Sequence, residues 1–348
     1  MIAATVRSQP NLSDKRRYMS SRGPTADSLA DGWHPEVPIT VPPLLLWPPR
    51  PIKVLEYLFG YPGLYFPWLA LYALIALGLW SVLEVAHADF AHMSAGWPLL
   101  LLAYNEAVAI AFYGTWHYRL YWRRMQGVKF KYNPNWPKES DQRFLFGNQT
   151  RSNFFWTLVS GIPIASAYMI LTLWAQADGI VPVTTWHSSP IYCVFLMLVL
   201  VFFHAIHFYT SHRILHVKPL YRKVHYLHHQ SNNPGPWSGL AMHPVEHLLY
   251  FSGALLLWVI PATPLHVMYF ITMVALAPAE GHCGFGKMVL GNSSLTTDGY
   301  YHYLHHKFFR VNFGDPLLIP LDRLFGTFHD GTRTARSSLS GVRTADER

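Results

Sequence analysis

Four apolar runs of about 20 residues each dominate the pattern of hydrophobic and polar positions along the chain. They cover residues 64–86, 97–116, 154–175 and 191–209, and none of them contains Lys or Arg. An α-helix of that length crosses a hydrocarbon core about 30 Å thick. The pattern therefore predicts four transmembrane helices joined by polar loops.

A fifth apolar stretch, residues 248–277, is interrupted by Pro261 and Pro264. Each half has roughly 13 residues, which is too few to cross the hydrocarbon core singly without tilt. A helical hairpin that enters the membrane and returns fits these lengths best, and one long kinked span is the alternative. The predicted fold is an all-α integral membrane protein with four transmembrane helices and a membrane hairpin.

The polar segments at the two ends set the boundaries of this membrane region. Residues 1–50 are polar and then rich in proline, which excludes a long helix because each proline removes a donor and fixes φ. The last segment, from Gly331, is rich in Ser, Thr and Arg. We expect an N-terminal arm at residues 1–63 and a transmembrane region with a basic loop at residues 64–190. A histidine-rich region at residues 191–330 and a polar tail at residues 331–348 would follow.

The basic residues are distributed unevenly between the loops. Lys and Arg cluster before the first run, between the second and third, and after the fourth, whereas residues 87–96 and 176–189 contain none. Cytoplasmic loops carry such an excess of basic residues. We therefore expect both termini and a histidine-rich helical cap to face the cytoplasm. The membrane would be the endoplasmic reticulum in a eukaryote and the cell membrane in a bacterium.

Composition favours a membrane protein over a protein that binds nucleic acid. Only 13% of the 348 residues are charged, whereas about 25% are charged in a typical soluble domain. The net charge of +8 lies beside the apolar runs, so we expect no nucleic-acid partner. Cys193 and Cys283 form no CxxC motif and predict no disulfide framework.

Twenty histidines carry most of the chemical information, and half or more of them lie between His204 and His306. One HxxxH motif occupies residues 212–216. The identical sequence His-Tyr-Leu-His-His occurs at residues 225–229 and again at 302–306, and His282 stands between these two copies. Packing gives no reason for such a repeat.

The spacing within these motifs is that of ligands on one face of a helix. Side chains three or four residues apart share a face, so HxxxH offers two imidazoles, and HxxHH offers two on one stripe with a third beside it. Imidazole suits Fe, Cu, Zn and Ni. The eight histidines of the three motifs exceed what one tetrahedral site can use. The sequence therefore predicts two metal ions.

Other residues near the motifs are weaker candidates. His243 and His247 are four residues apart and could supply a metal ligand or a hydrogen bond to one. His204 and His207 fall in the last turns of the fourth run, where ordinary hydrogen bonding explains them. Cys283 adjoins His282 but need not point the same way, so we do not count it as a ligand.

Taken together, the motifs resemble the fatty acid hydroxylase/sterol desaturase superfamily. The resemblance runs from about residue 195 to 328 and includes His-Pro-Val-Glu at 243–246, Asn-Phe-Gly at 312–314 and Asp-Arg-Leu-Phe-Gly-Thr at 322–327. Phe313 and Leu321 depart from it, because tyrosine and tryptophan are common there. His282 is similar to the additional histidine of sterol-modifying members. The metal ligands that the resemblance implies are His212, His216, His225, His228, His229, His282, His302, His305 and His306.

The resemblance implies a membrane oxidoreductase that hydroxylates or desaturates a lipid with O2, with residues 191–330 as the hydroxylase-like catalytic domain. It implies two iron ions, although the histidines alone would permit zinc. The sequence contains neither a haem-binding His-Pro-Gly-Gly nor a GxGxxG fingerprint. Electrons must then come from a separate protein of the cytochrome b5 or ferredoxin type, for which the basic residues 119–131 are a candidate docking face. A sterol, a fatty acyl chain, a sphingolipid base and a carotenoid are all compatible substrates.

Two other functions stay open at this point. A membrane zinc metallohydrolase would use similar ligands, because histidine-bound zinc activates water. A metal transporter is less favoured, because it would place histidines within the spans as a path, whereas the three motifs lie just outside them.

Overall fold

The computed structural model describes residues 32–86 and 88–332. The first half of the predicted arm and most of the predicted tail lie outside the described residues. The described part is mostly helical, and its helices are α1 (Pro51–Phe59), α2 (Tyr65–Val85), α3 (Gly96–Trp122), α4 (Gln149–Ala177), α5 (Pro190–Leu215), α6 (Lys218–Leu220, Tyr221–His225 and Tyr226–His229 in unbroken succession), α7 (Pro244–Phe251), α8 (Pro264–Gly281), α9 (Tyr300–Phe308) and α10 (Ile319–Leu324). Short 3-10 turns occupy Pro43–Leu45, Leu145–Gly147, Pro236–Ser238, Ser252–Trp258 and Pro316–Leu318.

Four helices, α2 to α5, are long and apolar enough to cross a membrane. They agree with the four spans that the hydropathy pattern predicts, and they indicate a membrane protein. α4 begins several residues before its predicted run because its first turns are polar and bind the segment after α6. The Nε2 of Gln149 donates to the carbonyl of Asn233 at 2.9 Å, and the Nδ2 of Asn153 donates to the Oγ of Ser231 at 3.0 Å.

The fifth apolar stretch consists of two segments that meet at a turn. The first segment, α7 with its 3-10 extension, runs beside α4. The hydrogen bonds between them join Tyr168 to the carbonyl of Leu248, Thr172 to the indole of Trp258, and Gln176 to the carbonyl of Ala262. Ala262 also pairs with Val183 in the loop before α5. The turn therefore lies at the end of α4 and α5 that is remote from the histidine motifs.

α8 is the most deeply buried helix of the bundle and leads from this turn back to the histidines. It packs against α2, α3 and α4, and most of its side chains are buried. Thr263 and His266 fix its start, since the Thr263 hydroxyl and His266 Nδ1 are 2.7 Å apart and His266 Nε2 bonds the carbonyl of Cys193 at 2.9 Å. The helix ends at Gly281 and His282 follows as its C-cap, so the core of the bundle positions that residue.

One antiparallel pair of strands departs from the all-α prediction. β1 (Lys287–Leu290) pairs with β2 (Ser293–Thr296) through a turn in which Gly291 has a φ of +59°, a conformation that glycine adopts without strain. Gly-Asn between two short runs is a hairpin signal that the apolar pattern alone did not bring out. Arg119 and Gln126 donate to the carbonyls of this hairpin and hold it against the basic loop after α3.

Candidate metal centre

The structure gathers nine histidines into two adjacent groups. The first cluster is His212, His216, His225, His229 and His305, and the second cluster is His228, His282, His302 and His306. Within each cluster the available ring nitrogens lie within 4.8 Å of one another. These nine residues are the full set that the sequence analysis proposed as ligands.

Helix geometry explains how each motif divides between the clusters. Residues four apart lie on one stripe of a helix, and a residue three apart lies to the side. In α6, His225 and His229 accordingly face the first cluster while His228 faces the second. In α9 the roles are exchanged, because His302 and His306 face the second cluster while His305 reaches the first. Each HxxHH motif therefore contributes to both clusters.

The separations between ring nitrogens in the first cluster cannot all be hydrogen bonds. The Nε2 of His229 lies 3.0 Å from that of His225, 3.2 Å from that of His216 and 3.1 Å from that of His305. A neutral imidazole carries one N–H, so one nitrogen cannot share hydrogens with three others. A cation bound between them satisfies all of these contacts at once.

The other ring nitrogens show which tautomer the histidines adopt. The Nδ1 of His212 donates to the carbonyl of Phe313 at 2.6 Å, and that of His305 donates to the carbonyl of Val311 at 2.6 Å. In the second cluster, the Nδ1 of His282 lies 3.1 Å from a backbone carbonyl. Because a carbonyl only accepts, the hydrogen sits on Nδ1 and leaves Nε2 with a bare lone pair. Converging lone pairs repel one another unless a metal ion lies between them.

Burial keeps these rings neutral. Burial lowers the pKa of the eight clustered histidines outside α5 below the usual 6.5, and neighbouring imidazoles lower most of these values further. For His282 the pKa falls to about 4. Neutral imidazole is the form that binds metal, so the clusters are ready for an ion at neutral pH.

The spacing also indicates the preferred coordination geometry. Ligands about 2.1 Å from an ion are about 3.0 Å apart at right angles and about 3.4 Å apart in a tetrahedron. Five Nε2 pairs of the first cluster are 3.0–3.2 Å apart, and His306 Nε2 lies 3.2 Å from those of His282 and His302. The first cluster also has five members, one more than a tetrahedral site uses. The set fits an ion with near-octahedral ligand directions.

Glu246, the acidic residue of the His-Pro-Val-Glu motif, supports the first cluster from outside, a role that the motif alone does not indicate. Its Oε1 accepts a hydrogen bond from the Nδ1 of His225 at 2.7 Å, and both side chains are almost fully buried. Burial alone raises the pKa of the Glu246 carboxyl well above its usual 4.5, whereas a bound dication favours the ionised form. A carboxylate behind a ligating imidazole fixes its orientation and raises its basicity. The available signal was an acidic residue in the first turn of a helix close to a histidine motif.

A loop after α9 holds the two carbonyls that accept from the first cluster. Asn312, with a φ of +53°, accepts from the backbone N–H of His329 at 2.8 Å and so fixes the turn between them. The carboxylate of Asp322 accepts from the backbone N–H of Phe313 at 3.3 Å and from the hydroxyl of Tyr301 at 2.8 Å. The closing sequence motifs thus fix the orientation of clustered rings, either directly through the carbonyl of Phe313 or by holding the loop that carries it.

His243 and His247, the possible additional ligands, are not part of either cluster. His243 caps α7 by accepting from the backbone N–H of Val245. His247 is buried, with Nδ1 2.9 Å from the Oγ of Ser160 and Nε2 3.0 Å from a backbone carbonyl. The Sγ of Cys283 points to the carbonyl of Phe285, away from the ligand atoms of its neighbour.

Comparison with known proteins agrees with this arrangement. Residues 197–327 match the family model for fatty acid hydroxylases. A Delta(7)-sterol-C5(6)-desaturase of Nicotiana tabacum is 32% identical over 182 residues, which are 49% of this chain and 61% of that protein. Sphinganine C4-monooxygenase 1 of Arabidopsis thaliana is 32% identical over 131 residues, which are 34% of this chain and 48% of that protein.

Methylsterol monooxygenase 2-1 of Arabidopsis thaliana is 27% identical over 138 residues, 34% of this chain and 50% of that protein. The chain thus spans between about half and three fifths of the length of these relatives. No solved structure matches. Residues 197–327, which contain all nine clustered histidines, therefore form a fatty acid hydroxylase-type domain, and the relatives it resembles are sterol desaturases and lipid monooxygenases.

Proposed function

We propose that this protein is a membrane-bound di-iron oxidoreductase that hydroxylates or desaturates a lipid with O2 and external electrons. The observation that carries the proposal is the convergence of bare Nε2 atoms at 3.0–3.2 Å in two groups. Similarity to a sterol desaturase and to sphinganine and methylsterol monooxygenases supports a lipid substrate and O2-dependent chemistry.

Iron is the metal that the ligand geometry favours. Structural zinc is almost always four-coordinate and tetrahedral, while the first cluster offers five histidines. Five of its Nε2 pairs are 3.0–3.2 Å apart, which is shorter than a tetrahedral edge. When bound, two iron ions would supply the reductive activation of O2 that attack on an unactivated C–H bond requires.

The residues of this chain perform the supporting tasks. Carbonyls 311 and 313 and the carboxylate of Glu246 keep the hydrogen on Nδ1, so that Nε2 faces the ion. Phe208 and Tyr250 pack beside the first cluster, with ring centroids 5.0 Å between Phe208 and His212. Such apolar walls exclude bulk water and suit a lipid chain. The catalytic part is residues 191–330.

The fifth apolar stretch is a membrane hairpin in this proposal, and the histidine clusters lie in a cytoplasmic cap. Two observations support it: the turn at Ala262 lies beside Val183, in a loop without Lys or Arg, and the loops near the clusters are basic. The membrane is the endoplasmic reticulum or the bacterial cell membrane, according to the source.

A separate electron donor of the cytochrome b5 or ferredoxin type completes the reaction. The basic loop after α3 remains the candidate docking face, but with fewer free charges than its sequence indicates. Lys131 is fully buried and donates to the carbonyl of Asn133 at 2.7 Å, and the guanidinium of Arg124 packs over Trp136. Arg123, Arg124 and Lys129 are exposed in this loop, and Arg124 is the one that also packs over Trp136.

The test combines metal analysis with lipid analysis. The chain is expressed in a host that supplies iron and a reductase system, and the lipids are compared with those of a host carrying His229→Ala. We expect about two iron ions per purified chain and a new hydroxylated or desaturated lipid that contains oxygen from O2 or requires it. Turnover supported by zinc alone in the absence of O2 would establish the hydrolase alternative instead.

A further inference from the structure

α1 presents three different faces around its axis. Successive residues turn by about 100°, which places Ile52, Leu55 and Phe59 on one side. Their exposed fractions are 72%, 58% and 56%. Lys53 and Glu56 form a second, polar side, where their 3.1 Å ion pair is also exposed. Val54, Tyr57 and Leu58 form the third side and are only partly exposed.

A helix with this distribution suits the surface of a bilayer. One face contacts protein, one is apolar and uncovered, and one carries charges that belong in water. An amphipathic helix in the interface plane buries its apolar face a few ångströms into the acyl boundary. Three large apolar side chains in one exposed stripe are unusual on a helix that faces water, and such patches mark sites that contact a protein or a membrane.

α1 also adjoins one of the candidate membrane-spanning helices, which in turn contacts a second. The ring of Phe59 stacks on that of Tyr65, the first residue of α2, with centroids 5.3 Å apart. The hydroxyl of Tyr65 donates to the carbonyl of Leu198 in α5 at 2.9 Å. The apolar stripe of α1 is therefore continuous with side chains of helices long enough to cross the membrane.

The chain that follows α1 lies next to the approach to the second cluster. Of that cluster, His302 alone is partly exposed, so an incoming molecule reaches the cluster from its side. The indole of Trp68 donates to the carbonyl of Thr296 at 3.2 Å, in β2 and six residues before His302. Tyr61 extends the contact by donating to the carbonyl of Ser294 at 3.0 Å.

We propose that α1 lies in the membrane surface and forms the lipid-side wall of the entrance to the second histidine cluster. A lipid chain leaves the bilayer beside the stripe of Ile52, Leu55 and Phe59 and passes Tyr57 to reach His302. The lipid surface is the partner of the stripe, and the role of the entrance rests on the proposed function.

The first experiment measures where α1 lies, without any enzyme activity. Cysteine is introduced in place of Ile52 or, as the matched control, Lys53 of the full chain, and labelled with a nitrobenzoxadiazole dye. Cys193 and Cys283 are both buried. In phosphatidylcholine nanodiscs, doxyl lipid labelled near the headgroup should quench position 52 several-fold more than position 53, and iodide should do the reverse. Equal quenching at both positions, or a position 52 protected from both quenchers, would show that water or protein covers the stripe.

The second experiment measures the entrance. Leu55→Glu should lower lipid product several-fold at unchanged metal content, while Glu56→Gln should match the unchanged protein. Full product from Leu55→Glu would overturn the entrance role. If the unchanged protein makes no O2-dependent lipid product at all, the proposed function fails, and the quenching result still decides where α1 lies.

Discussion

At the scale of single residues, the clusters depend on what lies behind each imidazole. Every converging Nε2 of the first cluster belongs to a ring whose orientation the chain must fix, and three of those rings are fixed by hydrogen bonds from Nδ1 to Phe313, Val311 and Glu246. Two of the three partners are backbone carbonyls, which no side-chain substitution removes. Glu246 is the one partner that mutation can test directly.

Replacing Glu246 with Gln should weaken metal retention and activity about 10–100-fold, the usual cost of losing a partner of a ligating histidine. The amide still accepts a hydrogen bond from His225, but it lacks the negative charge that raises the basicity of the ring. Iron content after dialysis against a chelator measures the effect. Glu139→Gln, on an exposed loop, is the control, and equal retention by both variants would contradict the role of Glu246.

The metal-free protein should lose stability as the pH falls below about 6.5. A histidine whose pKa is lowered in the folded state binds fewer protons than in the unfolded state, so its stabilisation is present above 6.5 and is lost as the pH falls towards the folded value, about 4 for His282. Each such histidine contributes up to about 1.4 kcal/mol per pH unit in that window.

Glu246 acts in the opposite direction, because its raised pKa costs stability as the pH rises. Burial raises the pKa of four further carboxyls in the same way, those of Glu280, Asp298, Asp315 and Asp322. These five carboxyls oppose eight histidines, so the net slope should follow the histidines. Thermal unfolding of the chelator-treated protein between pH 7.5 and 5 in detergent measures the slope. An unfolding temperature that rises on acidification would refute the assignment of neutral, buried rings.

The sequence could predict which histidines gather in the clusters, because residue type and spacing within one helix are local properties. It could not predict the roles of Asp322 and Glu246, because each acts on a partner brought close only by the fold. It also left His247 open as a ligand, and the structure gives both of its ring nitrogens other partners, Ser160 and a backbone carbonyl.

At the scale of elements, α6 and α9 are the parts that join the two clusters. Each supplies a pair four residues apart to one cluster and its remaining histidine to the other. The division follows from about 3.6 residues per turn within each motif, and in α6 the motif comes directly after a π-helical turn at Tyr221–His225. A single substitution should therefore remove the ion of one cluster and leave that of the other, according to which cluster the replaced histidine faces.

His282→Ala should leave about one ion per chain, and His229→Ala should leave at most one. His282 belongs to the second cluster alone. The Nε2 of His229 lies 3.0–3.2 Å from three other Nε2 atoms of the first cluster, so its loss affects that cluster most. Metal per chain is measured by elemental analysis at equal protein amounts. His243→Ala should keep the full content, since that residue lies outside both clusters. Two ions retained by His282→Ala would show that it is not a ligand.

Hydropathy located the four long helices because a membrane span needs an unbroken apolar length. It missed the early start of α4, where polar side chains are buried by bonding to the segment after α6. The hydropathy pattern did not predict the β-hairpin. Its strands have only four residues each, which is too short for an alternating pattern to stand out from the surrounding chain.

At the scale of the whole molecule, the basic loops and the clusters lie at one end of the bundle, and the turn at Ala262 lies at the other. Glycosylation or cysteine-accessibility tags at residue 10, in the loop between α3 and α4, and at the C-terminus should all report the cytoplasm. Tags at residues 90 and 182 should report the opposite side. A C-terminus on the side opposite residue 10 would mean that residues 248–277 cross the membrane once.

The division of ligands along the chain also has a consequence in time. His212, His216, His225 and His229 lie within 18 consecutive positions, whereas His305, which completes the first cluster, comes 76 residues after His229. At a synthesis rate of about 5–20 residues per second, roughly 4–15 s pass between them. Throughout that interval the nascent protein displays a four-histidine site able to capture any available divalent ion. Correct metallation then depends on which ion is available near the ribosome during synthesis. It also depends on how readily that ion exchanges after α9 has been synthesised.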